Sequence, residues 1–516
     1  VTLFSGHLSG TKTVQDVALS TPAAALQCLA AWGVQASGVA DDSRQVRKGD
    51  LFLAYPGVLA DGRDYIADAL ARGAVAVLWE QDDEGAAEST FSWNSDWRVP
   101  NLPGTHLRAL SGLLAHSICG SPSERLSLVA ITGTNGKTTV SQWIAQSYPR
   151  RCAIIGTLGA GLPGQLLDTG FTTPEATTLM RTLAEFADVE VQACALEASS
   201  IGLEEGRLNG ARVDVAVFTN LTRDHLDYHG TMKAYAAAKQ KLFAWPRLRL
   251  AVINLDDPFG VELAAFSTAS KVLGYTQSDA PMDRLGVIRA EEITETPFGL
   301  RFTLSAPSGR ARVESGLIGR YNVSNMLAVA AVLIDAGMTP KEVATRFADL
   351  DSPPGRLEKI GGDNGPLVVV DYAHTPDALE NILCALRPVA RARNGRLTLI
   401  FGCGGDRDQG KRAPMGEVAM RLADRVVLTT DNPRREDPRA IIRDIRVGAP
   451  SAEIIMDRSA AIRGSIAAAH PVDVLLIAGK GHETYQEMGG IRTPFSDLDE
   501  VRAALAALPN RGEGAQ

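Results

Sequence analysis

Eight consecutive residues, Thr132-Gly133-Thr134-Asn135-Gly136-Lys137-Thr138-Thr139, have the composition of a phosphate-holding loop. They follow the apolar run SLVAI and lead into VSQWIAQSY, which can form a helix. In a strand-loop-helix layout, backbone N–H groups and the helix N-terminus face an anion, Lys137 supplies countercharge and the Thr138 hydroxyl can reach a magnesium ion. The common pattern G-x-x-x-x-G-K-[ST] requires a glycine at position 131, where this chain has Ile131. The loop is either a chance Gly/Thr turn or a phosphate loop of a narrower kind, and the lysine in that context favours the second.

Further along, LEASSIGLEEGR carries Glu197, and TNLTRDHLDYHG carries Asp224, His225, Asp227 and His229. Carboxylate and imidazole groups at two strand ends could ligate magnesium beside the phosphates; a pair of solvated loops is the alternative. Lys239, in YAAAKQKLF, reads on its own as a surface lysine. A third group of residues lies in four polar loops. DYAHTPDAL offers Asp371 and His374, GCGGDRDQGKR offers Arg407, Lys411 and Arg412, DNPRREDP offers Asp431, Asn432 and Arg434, and GKGHE offers His482 and Glu483. Arginine grips carboxylates in a bidentate fork and Asp or Glu attracts ammonium, so the four together could hold a zwitterionic amino acid. Any one of them alone is an ordinary polar turn.

Positioning these residues calls for an α/β fold. Short β-branched runs alternate with Ala/Leu-rich helical stretches and Gly-rich connections, the signature of mainly parallel sheets. In the last third, PLVVVDYAH, RLTLIFGCGGDRD, RVVLTTDNP and DVLLIAGKGHE each run from an apolar strand into a polar loop, and in open α/β sheets ligands gather at those carboxyl ends. The polar, Pro/Gly-bearing stretch 80–105 suggests a boundary near 104, and DSPPGRLE breaks any helix near 352. Three domains are expected: 1–104, 105–352 and 353–516. The 516 residues are 45% hydrophobic and 22% charged, ordinary for a globular chain of several domains. A formal net charge of −8 argues against nucleic acid as main partner. Apolar runs such as VDVLLIAG are far shorter than the roughly 18 residues of a membrane span, and VTLFSGHLSGTK lacks a signal-peptide layout, so a cytoplasmic chain is expected. The six cysteines (Cys28, Cys119, Cys152, Cys194, Cys384, Cys403) form no C-x-x-C pair, so reduced thiols are expected, with Cys403 a small loop residue rather than a nucleophile.

With these residues in view, the chain resembles a Mur ligase across all three blocks. GTNGKTT is the form of phosphate loop that Mur ligases and the related folylpolyglutamate synthetases carry without the first glycine. The resemblance implies an N-terminal UDP-sugar-binding α/β domain, a central ATPase domain with a parallel sheet and a Rossmann-like C-terminal domain. It implies that Gly133, Thr134, Asn135, Gly136, Lys137, Thr138 and Thr139, with Asn322, Asn325 and Arg356, bind ATP. Ser43, Val58, Leu59, Ala60, Thr172, Thr173, Ser199 and Arg207 would bind a UDP-MurNAc-dipeptide. Thr138, Glu197, His225 and Lys239 would hold Mg²⁺, Lys239 as a carbamate, a modification that turns a cation into a metal-binding anion. Lys137, Lys239, His374 and Asp371 would be catalytic. Ile201 departs from the family, which commonly has His there.

The resemblance also implies the reaction: ATP phosphorylates the D-glutamyl γ-carboxylate of UDP-MurNAc-L-Ala-D-Glu, and an amine displaces phosphate. DNPR is the form associated with meso-diaminopimelate, so Arg407, Asp431, Asn432, Pro433, Arg434, Gly479 and Glu483 would line its pocket, with Arg434 gripping the second carboxylate that lysine lacks. The partners implied are these small molecules, for a monomer that neither binds nucleic acid nor inserts in a membrane. Addition of L-lysine, a folylpolyglutamate-synthetase-like ligase and a non-catalytic nucleotide-binding regulator are the rival readings; the DDSR block and DNPR disfavour the second, and the Lys137, Glu197, His225 and Lys239 set disfavours the third.

Overall fold

The computed structural model describes residues 6–7, 13–14, 21–57, 60–81, 91–278, 286–296, 299–362 and 365–508; Val58 and Leu59, expected at the sugar site, lie outside the described residues. The chain packs as two compact units, one of Val1–Ala130, Arg150–Ala216 and Trp245–Arg249, the other of Ile131–Pro149, Val217–Ala244 and Leu250–Gln516.

In the first unit, strands Gly38–Ala40, Asp50–Ala54, Ala76–Glu80 and Asn101–Gly104 form a four-stranded parallel sheet in sequence order. Asp50–Ala54 is buried along its whole length, as a strand covered on both faces must be. Strand Cys152–Gly156 runs parallel to Ala193–Glu197 and antiparallel to Gly159–Leu162. Helix Ala176–Asp188 buries Leu179, Met180 and Leu183, while its polar side reaches the four-stranded sheet: Arg181 donates to Asp50 Oδ2 at 2.7 Å and to Val39 O at 2.8 Å.

The second unit carries the phosphate-loop residues and the last third of the chain. Its helix Lys137–Ser147 falls where VSQWIAQSY predicts one. Leu250–Asn254, Lys271–Thr276 and Gly286–Thr296 are parallel, and the chain then turns back through antiparallel Gly299–Ala306 and Gly309–Ser315. That meander departs from the purely parallel pattern, and its burial alternates along the strand, as in a sheet with one wet face.

The second sheet of this unit has the order Glu358–Gly361, Leu367–Asp371, Val474–Ala478, Leu397–Phe401, Arg425–Leu428, Glu453–Ile454, parallel except at the first strand. All four apolar strands expected from sequence are present, and each ends in its polar loop. Helices Pro376–Ala392, Arg412–Leu422 and Pro438–Gly448 pack on one face and Arg458–Ala468 and Asp497–Ala506 on the other. Thr375, Asp437, Asp457 and Ser496 cap four of them through side-chain bonds to the first turn, so each helix starts at a defined residue after its loop. The last strand in sequence inserts between the first two apolar strands, a switch in strand order that opens a crevice at the carboxyl ends. Among the described residues no helix is long and apolar enough to cross a membrane.

Leu399 is wholly buried in this sheet and Val447 is 77% exposed. Urea denaturation should show Leu399→Ala losing about 2–5 kcal/mol and Val447→Ala changing stability by no more than about 0.5 kcal/mol.

Candidate active site

The phosphate loop is held open by glycine. Gly133 and Gly136 have φ of 147° and 88°, and a Cβ on Gly136 would lie 2.6 Å from Asn325 Oδ1. Helix Lys137–Ser147 starts at Gly136 with no side-chain cap bond, and the positive end of its dipole lies at the loop. The loop is tied down from outside: Asn220 accepts Thr134 N–H on its carbonyl and Asn135 N–H on its side chain, both at 2.9 Å, and Thr219 Oγ1 donates to Asn135 O at 2.6 Å.

Two amines converge on this loop. Lys137 Nζ donates to Gly133 O at 3.0 Å and Thr134 O at 2.9 Å, and Lys239 Nζ donates to Gly133 O at 2.9 Å. Lys239 is not the surface residue its neighbours in sequence suggest; it is 1% exposed, over the ring of Tyr235. Burial, and then the charge of Lys137, push its amine well below the ordinary lysine value. Burial, followed by Lys137 and Lys239, likewise lowers His225 to about 4 against the pull of Asp224. Burial opposes the charge on Asp224, yet the hydrogen bond and charge of His374 and the charges of His225 and Lys411 outweigh it and hold the carboxyl well below the usual range. Its Oδ2 lies 3.5 Å from His225 Nε2 and 3.6 Å from His374 Nε2, and its Oδ1 3.7 Å from Lys411 Nζ.

Beside the loop lies a cavity of about 540 Å³ lined by Asn135, Gly136, Asn322, Asn325, Arg356 and His374, among others. Asn325 donates to Asn322 Oδ1 at 3.2 Å and Asn322 to Ile318 O at 2.9 Å, so both amides are oriented. Arg356 lies over the Tyr372 ring, 4.6 Å from its centroid, with Nη2 3.4 Å from Thr138 Oγ1. Asp371, expected to be catalytic, spends both carboxylate oxygens on backbone: Leu357 N–H at 2.8 Å and Ala373 N–H at 2.7 Å. It ties the Arg356 turn to the His374 turn.

The residues expected to bind the amino acid also lie close together. Asn432 Nδ2 donates to Glu483 Oε2 at 2.8 Å, and Gly479, at φ of 116°, has a backbone that favours glycine, with a Cβ there 2.4 Å from Asp431 Oδ2. Arg434 has φ of 51° and is held by Gly405 O at Nη1, 2.8 Å, and by Glu487 O at its N–H, 3.0 Å. Arg407 is exposed, its Cγ 3.7 Å and Arg434 Nη1 2.9 Å from where a Gly404 Cβ would stand. Sequence reading passed over three partners. Lys480, wholly buried, donates to Asn432 Oδ1 at 3.0 Å and Glu483 Oε2 at 2.7 Å; a lysine between glycines after an apolar strand was its signal. Gln486, on a hairpin with no such signal, donates to Thr430 Oγ1 and Asp431 O. Arg458 underlies both turns.

In the first unit Thr173 Oγ1 donates to Glu197 O at 2.7 Å and to Ser199 Oγ at 3.0 Å, and Arg207 Nη1 donates to Thr173 O at 2.8 Å. Thr157 Oγ1 contacts Thr172 Oγ1 at 3.0 Å and Glu197 Oε2 at 3.0 Å. These four expected sugar-site residues and Glu197 form one hydrogen-bonded set. Ser43 lies in a short helical turn bonded to Asp68, and Ala60 accepts Gly57 N–H at 2.8 Å. Ile201 sits in helix Ser200–Glu204, whose start Ser199 caps by accepting the Gly202 N–H. Among the described residues no group of three or more His, Cys, Asp or Glu is arranged to hold a metal.

Family models match over most of the chain: Mur ligase family, catalytic domain, at 35–117; Mur ligase middle domain at 131–333; and Mur ligase, glutamate ligase domain, at 355–481. UDP-N-acetylmuramoyl-L-alanyl-D-glutamate–2,6-diaminopimelate ligases of Ectopseudomonas mendocina and Chromobacterium violaceum are 50% and 46% identical to it, over 90% and 93% of this chain and 94% and 96% of theirs. The chain belongs to the Mur ligase family. A solved structure of a Mur ligase of the same description superposes with a TM-score of 0.63 at 37% identity, covering 92% of this chain and 95% of that one.

For this Mur ligase the buried amine has a measurable cost. Between its depressed value and 10.5 the unfolded state binds the Lys239 proton that the folded state does not, so stability rises with pH across that interval. Lys239→Met, which removes the amine but keeps the length, should melt no lower than the wild type at pH 7, and the wild type should gain on it as pH rises toward 10; a variant that melts several degrees lower at both pH values would contradict this.

Proposed function

We propose that the chain is an ATP-dependent ligase that adds meso-2,6-diaminopimelate to the D-glutamyl γ-carboxylate of UDP-MurNAc-L-Ala-D-Glu, a step of peptidoglycan precursor synthesis. The observation that carries the amino-acid choice is the DNPR turn, with Arg434 held in a left-handed backbone conformation between Gly405 O and Glu487 O. The relatives at 46% and 50% identity, named for diaminopimelate, support the same choice. The three-domain division at 104 and 352 is part of the proposal, as are the cytoplasmic location and the monomeric state.

In this reading the residues divide the work. The uncapped N-terminus of helix Lys137–Ser147 and the Lys137 amine bind and orient the ATP phosphates, and Asn322, Asn325 and Arg356 hold the rest of the nucleotide in the cavity beside the loop. Arg356 also supplies positive charge next to Thr138. Thr172, Thr173, Ser199 and Arg207 bind the sugar-dipeptide. The donors present suit Mg²⁺, which keeps few protein ligands and takes the rest of its shell from phosphate and water. The Thr138 hydroxyl, His225 and a carbamate on Lys239 would hold it, and it would neutralise charge on the transferred phosphoryl group. The low-lying Lys239 amine fits that modification, because only a neutral amine attacks carbon dioxide. His225, kept neutral by burial, has a ring nitrogen free of a proton for a metal at pH 7.

The chemistry is a sequence of two displacements. A carboxylate oxygen attacks the γ-phosphorus, ADP leaves, and the acyl phosphate forms. The amine attacks the acyl carbon and phosphate leaves with the carboxylate's oxygen, so no protein nucleophile is consumed. Glu483 and Asp431 receive the ammonium group that does not react, the other amine attacks as the neutral base and loses a proton as the amide forms, and Arg434 and Arg407 take the carboxylates.

Phosphate release with Mg-ATP and UDP-MurNAc-L-Ala-D-Glu tests this, with meso-diaminopimelate or L-lysine as amine. Release that depends on diaminopimelate and a product of tripeptide mass are expected. Arg434→Asn, chosen because asparagine tolerates positive φ, should raise the diaminopimelate KM about tenfold to a hundredfold, the worth of one charge-assisted contact, and narrow the preference over lysine. A wild-type preference for lysine would overturn the assigned pocket.

A further inference from the structure

Arg458 and Asp497 are each 0% exposed at the side chain and form a bidentate pair, Nε to Oδ1 and Nη2 to Oδ2, both at 2.7 Å. They start the two helices, Arg458–Ala468 and Asp497–Ala506, that cover the second face of the six-stranded sheet. The guanidinium also reaches through to the strand ends: Nη1 donates to Thr430 O at 3.2 Å and Nη2 to Ala478 O at 3.0 Å. Thr430 immediately precedes Asp431, and Ala478 immediately precedes Gly479. Strands Arg425–Leu428 and Val474–Ala478 are not neighbours, because Leu397–Phe401 lies between them. One side chain therefore spans the middle strand and grips the carbonyl ahead of each amino-acid-binding turn.

The spacing between those turns has little slack. A methyl group on Gly479 would already stand 2.4 Å from Asp431 Oδ2, and Asn432 and Glu483 must stay within 2.8 Å of each other across the same gap. We propose that Arg458, anchored by Asp497, is a positioning residue for the amino-acid substrate: it fixes the distance between the DNPR and GKGHE turns and so sets affinity and selectivity for the incoming amine. The inference rests on the assignment of these turns to the amino acid. Burial works against the charge of Arg458, yet Asp497 and, more weakly, Asp431 and Glu483 hold it above its ordinary value, so its positive charge is felt at the pocket carboxylates as well. Lysine could not replace it, since a single ammonium lacks the planar fork that meets a carboxylate and two carbonyls at once.

A buried ion pair can be exchanged for apolar residues of similar size with little loss of stability, which separates folding from positioning. The test is steady-state kinetics of the full chain with Arg458→Met and Asp497→Leu combined, using whichever amino acid the wild-type enzyme adds. Misplaced binding groups predict an amino-acid KM raised roughly tenfold to a hundredfold and a narrower preference between diaminopimelate and lysine, with the ATP KM within about twofold and the melting temperature little changed. A folded double variant with an unchanged amino-acid KM and unchanged preference overturns the proposal. Should the double variant fail to fold, Arg458→Lys decides: a raised amino-acid KM at constant ATP KM supports positioning, and wild-type kinetics overturn it. Failure of the wild type to use any amino acid would instead sink the functional reading, and is seen before any variant is made.

Discussion

Two lysine amines share one carbonyl oxygen, that of Gly133, and the chemistry of the second unit depends on how that crowding is relieved. Two ammonium groups at hydrogen-bond distance from one acceptor repel each other strongly in a buried site. Lys239, 1% exposed, has its amine pushed well below the ordinary lysine value, and Lys137 stands at the helix N-terminus. Burial, with the charges of Lys137 and Lys239 added to it, lowers His225, while His374, His225 and Lys411 keep Asp224 ionised despite its burial. The glycines, the helix start and the paired amines thus concentrate positive charge at one loop, the feature on which the proposed binding of ATP rests.

The six-stranded sheet meets a different constraint, keeping charged side chains of both signs close together at its carboxyl ends. Its loops present carboxylates and guanidinium groups at the carboxyl ends of parallel strands, and Glu483 is matched inside the protein by Lys480, and Asp431 and Glu483 at longer range by Arg458. Buried charges of this kind contribute little to net stability, so their value lies in fixing geometry. Asp371 belongs to the same logic, since its carboxylate holds two turns by their N–H groups.

Much of this was legible in the sequence. The strand-loop-helix layout around residues 133–136, the four apolar strands and their polar ends follow from local pattern, because strand burial and glycine turns leave marks within a few residues. What the sequence hid was contact at long range. Lys239 lies in an Ala-rich helix that reads as exposed, and only the fold places it under Gly133, 106 positions away. Lys480 and Gln486 act on residues 48 and 55 positions distant, through strand order that no local pattern reveals. The meander of Gly299–Ala306 and Gly309–Ser315 escaped because polar and apolar residues alternate there without the continuous apolar runs that mark the parallel strands.

The central claim is that the site moves a phosphoryl group onto a carboxylate before the amide forms. The measurement that tests it most directly is oxygen tracing with UDP-MurNAc-L-Ala-D-Glu labelled with ¹⁸O in both oxygens of the γ-carboxylate. Transfer through an acyl phosphate predicts that the phosphate released carries one labelled oxygen while the new amide retains the other. Unlabelled phosphate, with product still formed, would contradict the account.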